Sequence, residues 1–309
     1  MSRILYLDNL KGFSILLVIL GHLYLNFAPN SIIFSFLSCF HMPIFVFASG
    51  FFAKKKEGES LLSYALKRTK LIMIPYLAFC IINIYVDGFD SAYSYLFGFA
   101  RGGLWFLPTI WILNLIHRTV IHFDFSKVKY LVILFFIESL FVIARFLLPE
   151  QLSDILMMRH LATFWLIFEM GYIFRCFRLT ISDGQAFIVS SLFIVLWSIT
   201  LMYVSSNELI RMIIRFTSTL SIIYFFVRIE KSKYNRFFSF LGVDTLAIYV
   251  LHYFFLRIVG TDMGLLFKDS ILLQFLLFFF ISCFIAVACV LIKRLLCKNK
   301  YFSLVLFGE

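Results

Sequence analysis

Ten apolar runs, each about twenty residues long, follow one another along this chain with only short polar gaps. They fall at residues 10–27, 32–53, 70–86, 103–122, 129–148, 160–176, 185–204, 208–228, 240–259 and 271–296. A helix of that length crosses the ~30 Å hydrocarbon core of a bilayer, whereas a buried helix of a soluble domain is usually shorter. Composition agrees: the 309 residues are 62% hydrophobic and 15% charged, against about 45–50% and about 25% in soluble domains. A soluble enzyme, a disordered chain and a secreted disulfide scaffold are excluded. The expectation is an all-α polytopic membrane bundle of about ten transmembrane helices, with residues 1–309 forming a single domain.

Charge sets the expected orientation. The net charge of +11 would suggest nucleic acid for a soluble protein, but here it reads as positive-inside bias. With a cytoplasmic N-terminus, twenty lysines and arginines fall on the inner side and five on the outer. The inner set includes the run Lys54-Lys55-Lys56 and the cluster Lys67, Arg68 and Lys70. Both termini are then expected to be cytoplasmic, and the first run reads as an uncleaved anchor rather than a signal peptide. The six cysteines are scattered through apolar runs without a C-x-x-C pair, so they read as small buried hydrophobes. No metal and no nucleic-acid partner is expected.

Polar groups in hydrocarbon cost several kcal/mol unless paired or hydrated, which makes each one a functional candidate. His22, His41 and His252 fall in three expected spans, and Arg145 and Arg215 in two more, all toward the outer half. Glu138 and Glu169 fall near mid-depth as candidate partners for a histidine or arginine. The set reads either as the lining of one polar cavity or as separate interhelical hydrogen bonds. Lys11 and His22 are eleven residues apart, three turns plus about 20°, so one helix face carries both, about 16 Å apart along the axis. The simpler reading of Lys11 is an end-of-helix lysine paired with Asp8. Trp105 reads either as a stacking platform for a sugar ring or as part of the interfacial aromatic belt. The chain has no P-loop, no H-E-x-x-H and no G-x-S-x-G, which argues against an ATPase, a zinc protease and a serine hydrolase.

Five short motifs then fall in order. Leu7-Asp8-Asn9-Leu10-Lys11-Gly12 with Gly21-His22 resembles the opening of the acyltransferase-3 family of integral membrane acyltransferases, and especially its fucose 4-O-acetyltransferase-like branch. Phe40-His41-Met42-Pro43-Ile44-Phe45 with Ser49-Gly50 resembles that family's second-span motif. Lys67-Arg68-Thr69-Lys70 before Ile74-Pro75-Tyr76 resembles its basic cluster, Leu104-Trp105-Phe106-Leu107 its Leu-Trp-Phe-Leu segment, and Ala247-Ile248-Tyr249-Val250-Leu251-His252 its late histidine segment. Where the family usually carries arginine, this chain has Lys11, which keeps the charge and loses the planar fork.

The resemblance implies an O-acetyltransferase of the bacterial inner membrane. It would pass an acyl group from cytosolic acetyl-CoA, as co-substrate, to a saccharide hydroxyl of the cell envelope: O-antigen, capsule, exopolysaccharide or a lipid-linked sugar. The catalytic candidates are His22, as base or acyl carrier, with His41 and His252. Lys11, Lys67, Arg68 and Lys70 are candidates for the donor's phosphates, the interval from Lys11 to His22 being of the order of an extended pantetheine arm. Trp105, Arg145, Arg215 and Glu169 are candidates for the acceptor. A histidine suits general-base work because its ordinary pKa lies near operating pH. The alternative is a transporter or flippase for a lipid-linked saccharide, which would need a similar basic and aromatic cavity.

Overall fold

The computed structural model describes residues 5–53, 58–123, 125–177, 180–202, 208–229, 235–259 and 270–309. Among them there is no strand. Sixteen helices run in order: α1 Leu5–Phe27, α2 Ile32–Ser38, α3 His41–Phe51, α4 Leu61–Arg68, α5 Ile74–Asp87, α6 Ala92–Leu96, α7 Phe106–Val120, α8 Lys127–Leu147, α9 Glu150–Ile155, α10 Met158–Cys176, α11 Asp183–Met202, α12 Glu208–Arg228, α13 Asn235–Val243, α14 Thr245–Ile258, α15 Ile271–Leu296 and α16 Lys300–Phe307.

Among the described residues, seven segments are long and apolar enough to cross a membrane: α1, α2 with α3, Leu61–Asp87, α8, α11, α12 and α15. α13 and α14, bent by 85° at their junction, make an eighth if the pair is one span. The ten expected spans therefore stand as seven or eight. Two fall short for visible reasons. α7 has 15 residues, about 22 Å of helix. α10 carries Arg159, Glu169 and Arg175 within its 19 residues and buries His160 and Glu169. By contrast, α8 exposes Val132, Phe135, Phe136 and Ile143, an apolar surface that suits a lipid surround.

The chain forms two compact units, residues 1–45 with 180–296 and residues 46–179 with 297–309. The first packs α2 and α12 to α15 on α1, whose Leu7, Leu10, Ile15, Leu16, Ile19 and Leu20 are fully buried, with α11 lying on α12. The second packs α10 against α7 and α8, and α16 against α5.

Prolines explain two breaks. Pro43 has no N–H and its ring crowds the carbonyl four residues back, so the helix is interrupted at Cys39 and Phe40. The freed Cys39 carbonyl accepts from the Ser218 hydroxyl of α12 at 3.1 Å. Pro75 acts likewise on Leu71, and the chain passes through a π-helical turn at Thr69–Met73 before α5. The third break, at Asp244, is held by Lys293 of α15, whose Nζ donates to Asp244 Oδ1 at 2.8 Å.

Close helix packing depends on paired glycines. A Cβ on Gly12 would overlap the Phe238 carbonyl oxygen, and one on Gly242 that of Asp8, so α1 and α13 touch backbone to backbone. Gly50 and Gly171 stand in the same reciprocal relation to Phe168 and Phe47 in the second unit. Gly12→Ala is expected to lower stability by about 1–3 kcal/mol, read as earlier unfolding on heating in detergent. Gly21→Ala is the control, since a Cβ there has nothing within 4 Å; equal melting of the two variants would contradict the packing argument.

Candidate active site

His22, His41, His252 and Arg215 all belong to the first unit. α1 carries His22 and α14 carries His252, with ring centroids 5.3 Å apart. Tyr253, next to His252, sends its hydroxyl to within 2.9 Å of His22 Nε2, and its ring lies 4.8 Å from the His22 ring. His41 and His252 are both close enough to His22 to act on it electrostatically. The structure thus brings His22 and His252 together with Tyr253, while His41, in the same unit, makes its hydrogen bond to its own segment.

The backbone fixes how two of these rings are presented. His41 Nδ1 donates to the Leu37 carbonyl at 2.6 Å, across the break that Pro43 makes. His252 Nδ1 donates to the Ile248 carbonyl at 3.1 Å. In a neutral ring each Nε2 then carries the free lone pair. His252 is fully buried, and its Nε2 has no hydrogen-bond partner. A buried polar atom without a partner costs roughly 1–3 kcal/mol, so this nitrogen is a reason to look for a hydroxyl donor at the cluster. His22 is only half-buried, and open space beside Gly21 adjoins it in sequence. Arg215 of α12 is half-buried and lies close enough to Cys39 to act on it electrostatically. Among the described residues no group of three or more His, Cys, Asp or Glu is placed to hold a metal.

Lys11 is on the same helix as His22, and its Nζ is 2.9 Å from Asp8 Oδ1. The pairing expected from sequence is there, and the Lys11 side chain is 24% exposed.

The remaining candidates belong to the second unit. Lys67 and Lys70 are exposed, and Arg68 is half-buried with its Nε on the Tyr64 hydroxyl at 3.2 Å. The run Lys54-Lys55-Lys56 lies outside the described residues. Trp105 is half-buried and stacks on His160, with centroids 4.3 Å apart and planes within 8°. Arg145 is half-buried at the end of α8, over the Phe146 ring. Glu169 has found its partners: His117 Nδ1 at 2.9 Å and the Tyr130 hydroxyl at 2.5 Å. Glu138 is buried with one carboxyl oxygen unpartnered.

Sequence reasoning missed Tyr253, His117 and His160. Tyr253 was adjacent to a flagged histidine. His160 and His117 lie in expected spans and needed only the same test that flagged the others.

Among the described residues, seven or eight segments long and apolar enough to cross a membrane indicate an integral membrane protein. The chain belongs to the acyltransferase-3 family: the family model described as an acyltransferase domain matches residues 4–294, nearly its whole length. It is thereby a membrane acyltransferase. No curated protein and no solved structure matches it.

Proposed function

We propose that the protein moves an acetyl group from cytosolic acetyl-CoA to a hydroxyl of a cell-surface or lipid-linked saccharide, from the bacterial inner membrane, as the fucose 4-O-acetyltransferase-like branch would. The observation that carries this reading is the contact of His22 with Tyr253 beside the unpartnered Nε2 of His252.

In the direct route, His22 takes the proton of the sugar hydroxyl. The oxygen attacks the thioester carbonyl, the carbon–sulfur bond breaks, and the proton returns from the imidazolium to the departing thiolate. In the two-step route, a neutral His22 nitrogen attacks the thioester carbonyl and the carbon–sulfur bond breaks to release the thiolate; the sugar oxygen then takes the acetyl group as the acetyl–nitrogen bond breaks, and the hydroxyl's proton passes to the thiolate. Tyr253 holds the His22 ring in one orientation in both. His41 and His252 present acceptor nitrogens, which suits sugar hydroxyls better than an oxyanion. Lys11 supplies a cation about 16 Å from His22 along α1, a fitting place for a donor phosphate. Taken within the second unit, Lys67, Arg68 and Lys70 are assigned to donor phosphates and Trp105 and Arg145 to the acceptor; within the first unit, Arg215 is assigned to the acceptor.

Transfer of radiolabel from acetyl-CoA in washed membranes, supplied with lipid-linked and free surface glycan, tests the reading. Wild type is expected to label glycan. Lys11→Ala is expected to raise the donor KM roughly 10- to 100-fold, the worth of one charge-assisted contact, and to recover at high acetyl-CoA. A folded wild-type protein that transfers nothing to any host glycan would remove the proposal and leave the flippase reading.

A further inference from the structure

The second unit holds a buried arginine whose N–H donors its own residues do not all satisfy. Arg118, at the end of α7, is 2% exposed. Its Nη2 donates to the Glu59 carbonyl at 2.7 Å and stands 3.7 Å from the Glu59 carboxylate. Its Nε and Nη1 are buried and have no acceptor. A guanidinium carries five N–H donors and keeps its charge in a protein, so three buried donors go unused.

A second arginine is beside it. The guanidinium carbons of Arg68 and Arg118 lie 5.2 Å and 5.3 Å from the centroid of one ring, that of Tyr64. Tyr64 is itself buried and pinned, its hydroxyl donating to Asn114 Oδ1 at 2.8 Å while accepting from Arg68 Nε. Asn114 is tied to its own helix through the Ile110 carbonyl at 2.8 Å. The platform is therefore rigid, and it holds two like charges against one aromatic ring. Lys67 and Lys70 add cations on the same stretch of chain. Glu59 is the one carboxylate paired with these groups among the described residues.

We infer that Arg118 and Arg68, set on Tyr64, form a binding site for a phosphate-bearing anion. Phosphate oxygens would accept from the idle N–H groups of Arg118 and neutralise the repulsion between the two guanidiniums. Arg101, another buried arginine of this unit, leaves only its Nε unpartnered, both of its terminal nitrogens donating to the Tyr76 hydroxyl and the carbonyls of Asp154 and Ile155. Two sources carry the chemistry, a nucleotide cosubstrate and an anionic lipid headgroup. If the ligand is coenzyme A, the site deepens the donor reading above and rests on it; if it is a lipid, the site stands alone.

The test is a binding measurement on the full chain. Calorimetric titration with coenzyme A in neutral detergent is one arm. Melting in nanodiscs of phosphatidylcholine, with and without phosphatidylglycerol, is the other. Arg68→Ala, Arg118→Lys and Arg118→Met are compared with wild type. A nucleotide ligand is expected to bind wild type and to lose roughly 10- to 100-fold in affinity in Arg68→Ala and Arg118→Met, less in Arg118→Lys. A lipid ligand is expected to raise the melting point of wild type in phosphatidylglycerol and not that of Arg68→Ala. Without ligand, Arg118→Met removes both the unpartnered donors and the contact with Glu59, so its melting point serves as the check that it folds. If it does not fold, half-buried Arg68→Ala and charge-keeping Arg118→Lys still decide. Wild type indifferent to both probes, or variants that match it in both arms, would overturn the inference. Binding is read without turnover, so failure of acetyl transfer leaves this result separate.

Discussion

His22→Ala is expected to reduce acetyl transfer by a factor of about 10²–10⁴, the usual worth of a positioned general base, and by more if His22 carries the acyl group. The loss is expected in kcat, because the imidazole acts on the reacting atoms and not on the donor's remote phosphates. Structure should survive the change. His22 is half-buried, its ring packs against His252 and Tyr253, and the fully buried leucines and isoleucines that pack α1 are untouched. Tyr253→Phe separates chemistry from packing more finely. It keeps the ring against His22 and deletes only the hydroxyl 2.9 Å from Nε2. A fall of about tenfold, the value of one hydrogen bond near 1.4 kcal/mol, is expected with the donor KM unchanged. The readouts are label transfer at saturating acetyl-CoA and the melting point of the purified protein. A His22→Ala enzyme that melts like wild type and still transfers at the wild-type rate would sink the assignment.

Much of the membrane character was legible from local pattern, because an apolar run of sufficient length reports its own burial. The interruptions were less so. Residues 32–53 read as one run, yet Pro43 splits it into α2 and α3, and the signal was a proline whose cost the hydropathy average hides. The bend at Asp244 depends on Lys293, 49 residues away, and no window sees that pair. α7 and α10 read as ordinary spans because aromatic and aliphatic neighbours masked their buried polar groups. The grouping of residues 180–296 with 1–45 is a property of chain return and has no local signature. At the site, shared helix face placed Lys11 with His22 correctly on one element. The three histidines were readable as a set only because each stood out in hydrocarbon. Tyr253 did not stand out, being one of fifteen tyrosines, and its role comes from the rotation of α14 that burial of His252 imposes.

The second large effect is expected far from this chemistry in sequence. Glu169→Ala should destabilise the protein by about 3 kcal/mol or more, the usual cost of removing one partner from a buried polar pair. Glu169 was a candidate for the acceptor, but both its oxygens are engaged: His117 Nδ1 is 2.9 Å and 3.1 Å from them, and the Tyr130 hydroxyl is 2.5 Å from Oε2. The other nitrogen of His117 stands 3.1 Å from the Ala53 carbonyl, so the ring joins α7, α10 and the segment after α3. Tyr130 adds α8 to the same node. Single interhelical hydrogen bonds in membranes average only about 0.6 kcal/mol, too little for a large effect one at a time. The size of this one comes from stranding several groups together, since His117 is fully buried and Tyr130 nearly so. Glu169→Gln keeps the shape and accepts through one oxygen, and should lose less. His117→Leu combined with Glu169→Leu should lose less than the sum of the two single changes, because neither partner is then left stranded. Heat unfolding in detergent measures all five variants, and label transfer by the fraction still folded is expected to keep its acceptor KM. Additive losses would break the coupling argued here. A raised acceptor KM in Glu169→Gln with an unchanged melting point would return Glu169 to the acceptor site.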